Sequence, residues 1–245
     1  ATEANALALQ GLVTADQPLR VVSAVEHPSV LAWGDVLVGV DLNGVIDLDH
    51  LDRILCNHRD RVAVVSVMAA NNETGVLQPV GDVGRCAAKH GVPFHCDASQ
   101  MPGKLALTIS ADMVTLSSHK MGGPRGAGGL LIQPALTPRM APLLRGGPQE
   151  RGLRGGTEDV AAIAGFGAAC QATVASHSSE RRDTLEDAAI KLGGRVVGGG
   201  AERLPNTTTL LFDYPGDLIV MALDLAGIQA STGAACSSGA AAESH

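Results

Sequence analysis

The chain has 245 residues and a formal net charge of −7; 45% of its residues are apolar but only 2% aromatic. That is enough for one large domain, or a large and a small one, with a core of Val, Leu, Ile and Ala. The acidic balance argues against a nucleic-acid partner, whose footprint would be basic, and no run approaches the roughly 18–20 apolar residues of a membrane span.

In chain order, the predicted elements alternate between strands and helices. Strands are expected at 19–25, 61–68, 92–96, 113–117 and 129–133, where near-continuous Val, Leu, Ile and Met suit strands covered on both faces. Helices are expected at 48–55 and 80–90, the second stopped by Gly91 with Pro93 just beyond. Thr157 is the expected N-cap of a further helix, with Glu158 and Asp159 in its first turn and Val160, Ile163, Ala164 and Gly167 along its apolar face. A charged helix is expected at about 179–192. After the glycines 193, 194 and 198–200, the pattern predicts a strand at 206–212, a helix at 216–226 and a short strand at 228–231. The alternation predicts an α/β fold with a mainly parallel sheet, a large domain over 1–178 and a smaller α+β unit over 179–245.

The start shows no basic stretch followed by an apolar one, so no secretory signal is expected. The five cysteines, Cys56, Cys86, Cys96, Cys170 and Cys236, are irregularly spaced and include no CxxC pair. That fits reduced thiols in a cytoplasmic protein better than a disulfide framework or a structural zinc site, and no metal ligand set is expected. Four of them sit in apolar or helical patterns and are expected to be buried. Cys236 is the exception.

Two strand ends carry chemistry. The strand at 92–96 runs into Asp97, and the strand at 113–117 runs into Ser118-His119-Lys120 and the glycine-rich turn Gly122-Gly123-Pro124-Arg125-Gly126. In parallel α/β sheets, ligands sit beyond the C-terminal strand ends. A lone acid there is usually a turn former, and a lone lysine a solvated charge. Together they suit pyridoxal 5'-phosphate (PLP), which takes a lysine for covalent attachment and a carboxylate against its ring nitrogen.

The run from Ser117 to Gly126 resembles the lysine motif of the class V aminotransferase superfamily, in its NifS/IscS-like cysteine desulfurase branch with PLP fold type I. Four further segments agree in order: Ala1-Thr2-Glu3-Ala4-Asn5, Glu26-His27-Pro28-Ser29-Val30, Asn71-Asn72-Glu73-Thr74-Gly75, and Arg151-Gly152-Leu153-Arg154-Gly155-Gly156-Thr157. The resemblance implies roles residue by residue. Lys120 carries the cofactor and moves protons. Asp97 pairs with the ring nitrogen, and Gln100 with the phenolic oxygen. His27 stacks on the ring and serves as acid or base, against the plainer reading of a helix-entry histidine. Asn72 lies near the phenolic oxygen and the substrate carboxylate. Thr2, Ser117 and His119 bind the phosphate, helped by the backbone amides of Ala1 and Thr2 at a helix start. Thr157 reaches the phosphate of a partner subunit, which implies a homodimer.

Cys236 lies in Ser231-Thr232-Gly233-Ala234-Ala235-Cys236-Ser237-Ser238-Gly239, small residues with little to build a core. An exposed thiol in such a loop can ionise and reach a substrate. The loop is similar to that of NifS/IscS-like desulfurases, in which the cysteine takes sulfur from L-cysteine as a persulfide, leaves L-alanine, and passes the sulfur to an acceptor such as an iron–sulfur cluster scaffold or a thiolation system. Selenocysteine lyase, or another class V activity such as an aminotransferase, is an alternative; so is a weakly active subunit serving as a binding scaffold. Against the family pattern, the chain is expected to be truncated at both ends. It begins inside the phosphate motif and stops just past the cysteine loop. The arginine that grips the substrate carboxylate is expected beyond it.

Overall fold

The computed structural model describes residues 1–106, 108–175 and 178–233. Its elements in order are α1 (Thr2–Gly11), β1 (Leu19–Ser23), α2 (Pro28–Leu31), β2 (Val36–Val38), α3 (Leu48–Asn57), β3 (Val62–Ser66), α4 (Val80–Lys89), β4 (Phe94–Asp97), β5 (Met113–Ser117), β6 (Gly128–Ile132), α5 (Val160–Ala172), α6 (Glu180–Lys191), β7 (Arg195–Val196), β8 (Leu210–Leu211) and α7 (Gly216–Leu225). Six strands form one sheet in the order β2-β1-β3-β4-β5-β6. Every pair in it is parallel except β5–β6, where Met113 faces Ile132 and Ser117 faces Gly128. This is the expected α/β architecture with a mainly parallel sheet.

Successive strand residues point to opposite faces, and both faces are covered. Val21 and Val65 pack with Leu51, Ile54 and Leu55 of α3 and Val83 and Ala87 of α4. Their neighbours Val22 and Val64 pack on the other side with Leu7, Ala8 and Leu9 of α1 and with Val30, Met113 and Met140. That double burial explains why 61–68 reads as a near-continuous apolar run: all five residues of β3, Ser66 included, are buried. Phe94 is 1% exposed at the sheet centre, and cutting it to Ala would cost about 3–5 kcal/mol. Helix α1 buries Asn5, Ala6, Leu7, Ala8, Leu9 and Gly11, so it lacks the single apolar stripe of a surface helix.

The cap of α5 is Asp159, not Thr157: the Asp159 carboxylate accepts from Ala162 N at 3.0 Å. The expected face of that helix is also reversed. Val160 and Ile163 are 73% and 45% exposed, while Ala162 and Ala169 are buried. The helix is apolar almost all round, so its sequence pattern does not select a face. Of the cysteines expected to be buried, only Cys96 is; Cys56 and Cys170 are exposed and Cys86 is half-buried. Cys56 lies in the last turn of α3, off the face carrying Leu51, Ile54 and Leu55. The three-residue β2 is too short to show a pattern.

Beyond the large sheet, β7 and β8 pair antiparallel through Arg195–Leu211 and Val196–Leu210. The strand expected at 206–212 shrinks to β8; just before it, Thr209 O accepts from Val197 N at 2.9 Å and Thr209 Oγ1 donates to the Glu73 carbonyl at 2.8 Å. Residues 228–231 form no strand. Arg203 grips both oxygens of Glu186 on α6 at 2.6 and 2.8 Å, while Leu204 N donates to Gly75 O at 2.8 Å.

Candidate active site

Strands β4 and β5 end side by side, with Asp97 paired to Thr115 in the parallel register. Beyond β5 a 3-10 turn, Ser118–Met121, carries Lys120 and closes on Gly122 at φ 86°, a left-handed conformation that glycine adopts without cost. The start of α1 and the loop entering α2 come to the same place. The result is an open cavity of about 270 Å³ lined by Ala1, Thr2, His27, Asn72, Asp97, Gln100, Ser117, His119 and Lys120, together with Ser29, Met68, Ala70 and Ser99. Nine of the eleven residues singled out from the sequence thus meet in one pocket. Thr157 is exposed and lies outside it. Cys236 lies outside the described residues.

Asp97 is buried and fixed at both oxygens: Oδ1 accepts from Ser99 N at 2.9 Å and Oδ2 from Asn5 Nδ2 at 2.7 Å. The same Asn5 amide donates to Ser29 Oγ at 3.0 Å. His27 Nδ1 lies 2.8 Å from that hydroxyl and accepts from Ser29 N at 3.1 Å. A chain of hydrogen bonds therefore joins Asp97 to His27 through Asn5 and Ser29. His27 is both the N-cap of α2 and a wall of the pocket, so the helix-entry reading and the functional reading describe one residue. Burial, and then the charge of Lys120, hold its pKa below the usual histidine value. With Nδ1 accepting a backbone N–H, the neutral ring carries its proton on Nε2.

Lys104 Nζ donates to Gln100 Oε1 at 2.7 Å, which leaves the Gln100 Nε2 group free to donate toward a ligand. Burial and the neighbouring Lys120 charge lower the Lys104 pKa to about 8. Ser117 Oγ lies 3.2 Å from His119 Nδ1. Helix α1 has no side-chain cap on its first turn, so its leading N–H groups, beside Thr2, remain available to an anion.

Behind the pocket, His95 is fully buried, with Nδ1 2.8 Å from Ser66 Oγ and Nε2 2.9 Å from Thr115 Oγ1. Burial lowers its pKa to about 4. Glu26 is 1% exposed; its Oε1 accepts from Met68 N, and its Oε2 has no partner. Burial, with a smaller contribution from Asp97 and against the Met68 N hydrogen bond, raises its pKa well above the usual carboxylate value, which favours the neutral form.

The donor set fits PLP. A lysine amine, a fixed carboxylate at the pocket floor, an amide donor, an imidazole wall, and hydroxyls with open helix amides at one end match its aldehyde, ring nitrogen, phenolic oxygen, ring face and phosphate. Asn5, Ser29, Glu26 and Lys104 complete this arrangement but were not singled out from sequence. The visible signal for Asn5 is a polar residue between Ala4 and Ala6-Leu7-Ala8-Leu9 in a helix otherwise fit for burial.

Residues 1–244 match the family described as aminotransferase class-V. The chain is 40% identical over 245 residues to a cysteine desulfurase of Klebsiella pneumoniae, covering 92% of this chain and 60% of that protein. It is 40% identical over 268 residues to cysteine desulfurase NifS of Azotobacter vinelandii, covering 100% of this chain and 65% of that one. The chain thus spans under two thirds of the length of these two relatives. Among solved structures, a NifS-like protein from Rickettsia africae ESF-5 superposes with a TM-score of 0.80 at 30% identity, covering 95% of this chain and 68% of that one.

Proposed function

The chain belongs to the aminotransferase class-V family, and from that premise we propose that the protein it represents is a PLP-dependent cysteine desulfurase, taking sulfur from L-cysteine and leaving L-alanine. The observation that carries the reading is the meeting of Lys120, Asp97 and His27 in one pocket with Thr2, Ser117 and His119. The names of the relatives, cysteine desulfurase in Klebsiella and in Azotobacter, support the choice of reaction.

Bound PLP supplies an electron sink for the substrate carbons through its protonated ring nitrogen. The residues do the rest. Asp97, held in place by Ser99 N and Asn5, would face that nitrogen and retain its proton. Lys120 would hold the cofactor through its amine and would supply the group that moves a proton at the substrate α-carbon. His27, neutral with Nε2 protonated, covers one face of the pocket and holds a proton for exchange. Gln100 directs its amide donor inward because Lys104 occupies its carbonyl. Cys236 gives the reaction its outcome. Its thiolate attacks the substrate sulfur and the carbon–sulfur bond breaks. The electron pair stays on carbon, which takes a proton to become alanine, and Cys236 carries the sulfur as a persulfide for an acceptor such as an iron–sulfur scaffold.

A homodimer completes the reading. Thr157 is exposed outside its own pocket, beside the exposed Val160 and Ile163, which fits a role toward a partner's phosphate. Residues 1–178 then form the cofactor domain and 179–245 part of a smaller one. No described helix is long and apolar enough to cross a membrane, and free thiols at Cys56, Cys86, Cys96 and Cys170 fit a cytoplasmic site of action.

Two substitutions test the reading. Lys120→Ala removes the visible absorbance of lysine-bound PLP. Cys236→Ser keeps that absorbance but releases no sulfur from L-cysteine, a drop of about 10³-fold or more. Sulfur release at the parent rate from Cys236→Ser rejects the desulfurase assignment, and uptake of no PLP by the parent chain rejects the cofactor.

A further inference from the structure

Away from the pocket, α3 and α4 pack side by side over the sheet. One helix presents Asp52. The other presents Cys86 and, one turn later at its C-cap, His90. Residues four apart lie on the same helical face, so Cys86 and His90 project together toward Asp52. His90 Nε2 lies 2.8 Å and Cys86 Sγ 3.8 Å from Asp52 Oδ1, and the three ligand atoms lie within 4.8 Å of one another. None of the three residues lines the active-site pocket.

We propose that Asp52, Cys86 and His90 bind a zinc-type divalent metal ion that clamps α3 to α4. In tetrahedral zinc sites, bonds of about 2.0–2.3 Å place neighbouring ligand atoms about 3.3–3.6 Å apart. The observed 2.8 and 3.8 Å bracket that spacing, so small side-chain rotations bring all three atoms onto one ion. His90 has a side chain only 9% exposed and is already ordered. Asp52 and the half-buried Cys86 leave the outer side open, and the fourth position falls to water. A thiol, an imidazole and a single carboxylate favour a zinc-type ion over magnesium or calcium, which take oxygen ligands. Lys89 Nζ now sits 2.8 Å from Asp52 Oδ1 on a side chain 65% exposed. It is a built-in competitor that can swing into solvent as the ion enters. Binding releases the Cys86 thiol proton. Sequence spacing alone does not suggest this set, because the pattern sought for structural zinc is a CxxC pair and here one ligand comes from another helix.

The test is titration of the reduced holoprotein with Co²⁺, followed through the red-visible ligand-field bands of tetrahedral cobalt and the near-ultraviolet thiolate band. One equivalent should bind and be displaced by Zn²⁺. Cys86→Ser should remove the thiolate band, and His90→Gln and Asp52→Asn should each weaken binding about tenfold or more. Lys89→Gln should tighten it, and Cys170→Ser should leave it unchanged. Zn²⁺ should raise the melting temperature of the parent but not of Asp52→Asn, a conservative exchange at a partly exposed position. Absence of a thiolate band at one equivalent, or a band that survives Cys86→Ser, overturns the proposal.

Discussion

At the scale of single residues, two buried groups give stability a defined pH dependence. Burial raises the Glu26 pKa in the fold well above its unfolded value of 4.5. Its contribution is fully present below that pH and is lost as pH rises toward the raised folded value. His95 works in the opposite sense. It stays neutral in the fold down to about 4, against 6.5 unfolded, so its contribution is present above 6.5 and is lost as pH falls toward 4. Glu26→Gln keeps an oxygen to accept from Met68 N and places an amide where Oε2 has no partner. The variant is expected to melt near the parent around the unfolded value of 4.5 and increasingly above it as pH rises from there; thermal melts over a pH series check the divergence. A gap that stays constant with pH would mean that Glu26 is ionised in the fold.

At the scale of elements, the lysine turn is shaped by the helix behind it. A Cβ on Gly165 of α5 would lie 2.8 Å from Pro124 Cγ and 2.9 Å from Pro124 Cδ, and one on Gly123 would lie 3.0 Å from Ala169 Cβ. Gly165→Val is therefore expected to cost about 1–3 kcal/mol by overpacking and to shift the turn bearing Lys120. PLP affinity should fall, while Gly167→Ala, which meets nothing within 4 Å, should leave it unchanged; spectroscopic PLP titration measures both. The same helix shows what the sequence pattern could and could not convey. The strands at 61–68 and 113–117 were legible because short, largely apolar, β-branched runs bounded by polar turns suit a doubly covered strand. Helix α5 was legible as a helix but not in its orientation, since Val160 and Ala162 are both apolar and only packing separates them. The site followed the same division. Lys120 and Asp97 stand at strand ends and His27 in a contiguous motif; Asn5 and Ser29 also lie inside family-like segments, but their roles come from bonds between distant parts of the chain.

At the scale of the whole molecule, the pocket gathers residues from Ala1 through Lys120: the ends of β4 and β5 give Asp97 and Ser117, and the helix starts and turns beyond the sheet give the walls. The exposed Val160 and Ile163 lie on the side where the proposed partner subunit would reach Thr157. One hydrogen bond captures how non-local the arrangement is: Asn5 donates to Asp97 across 92 positions of sequence. Such a bond cannot form until α1 has docked and β4 has been inserted between its neighbours. Contacts this distant in the chain are made late in folding, because loop closure must precede them. Cofactor capture should then be among the last events of refolding. In a stopped-flow experiment, helical circular dichroism is expected to recover first, and the PLP signal several-fold more slowly, with a rate independent of PLP concentration once PLP is in excess. Coincident phases would instead place the docking of α1 at the first collapse of the chain.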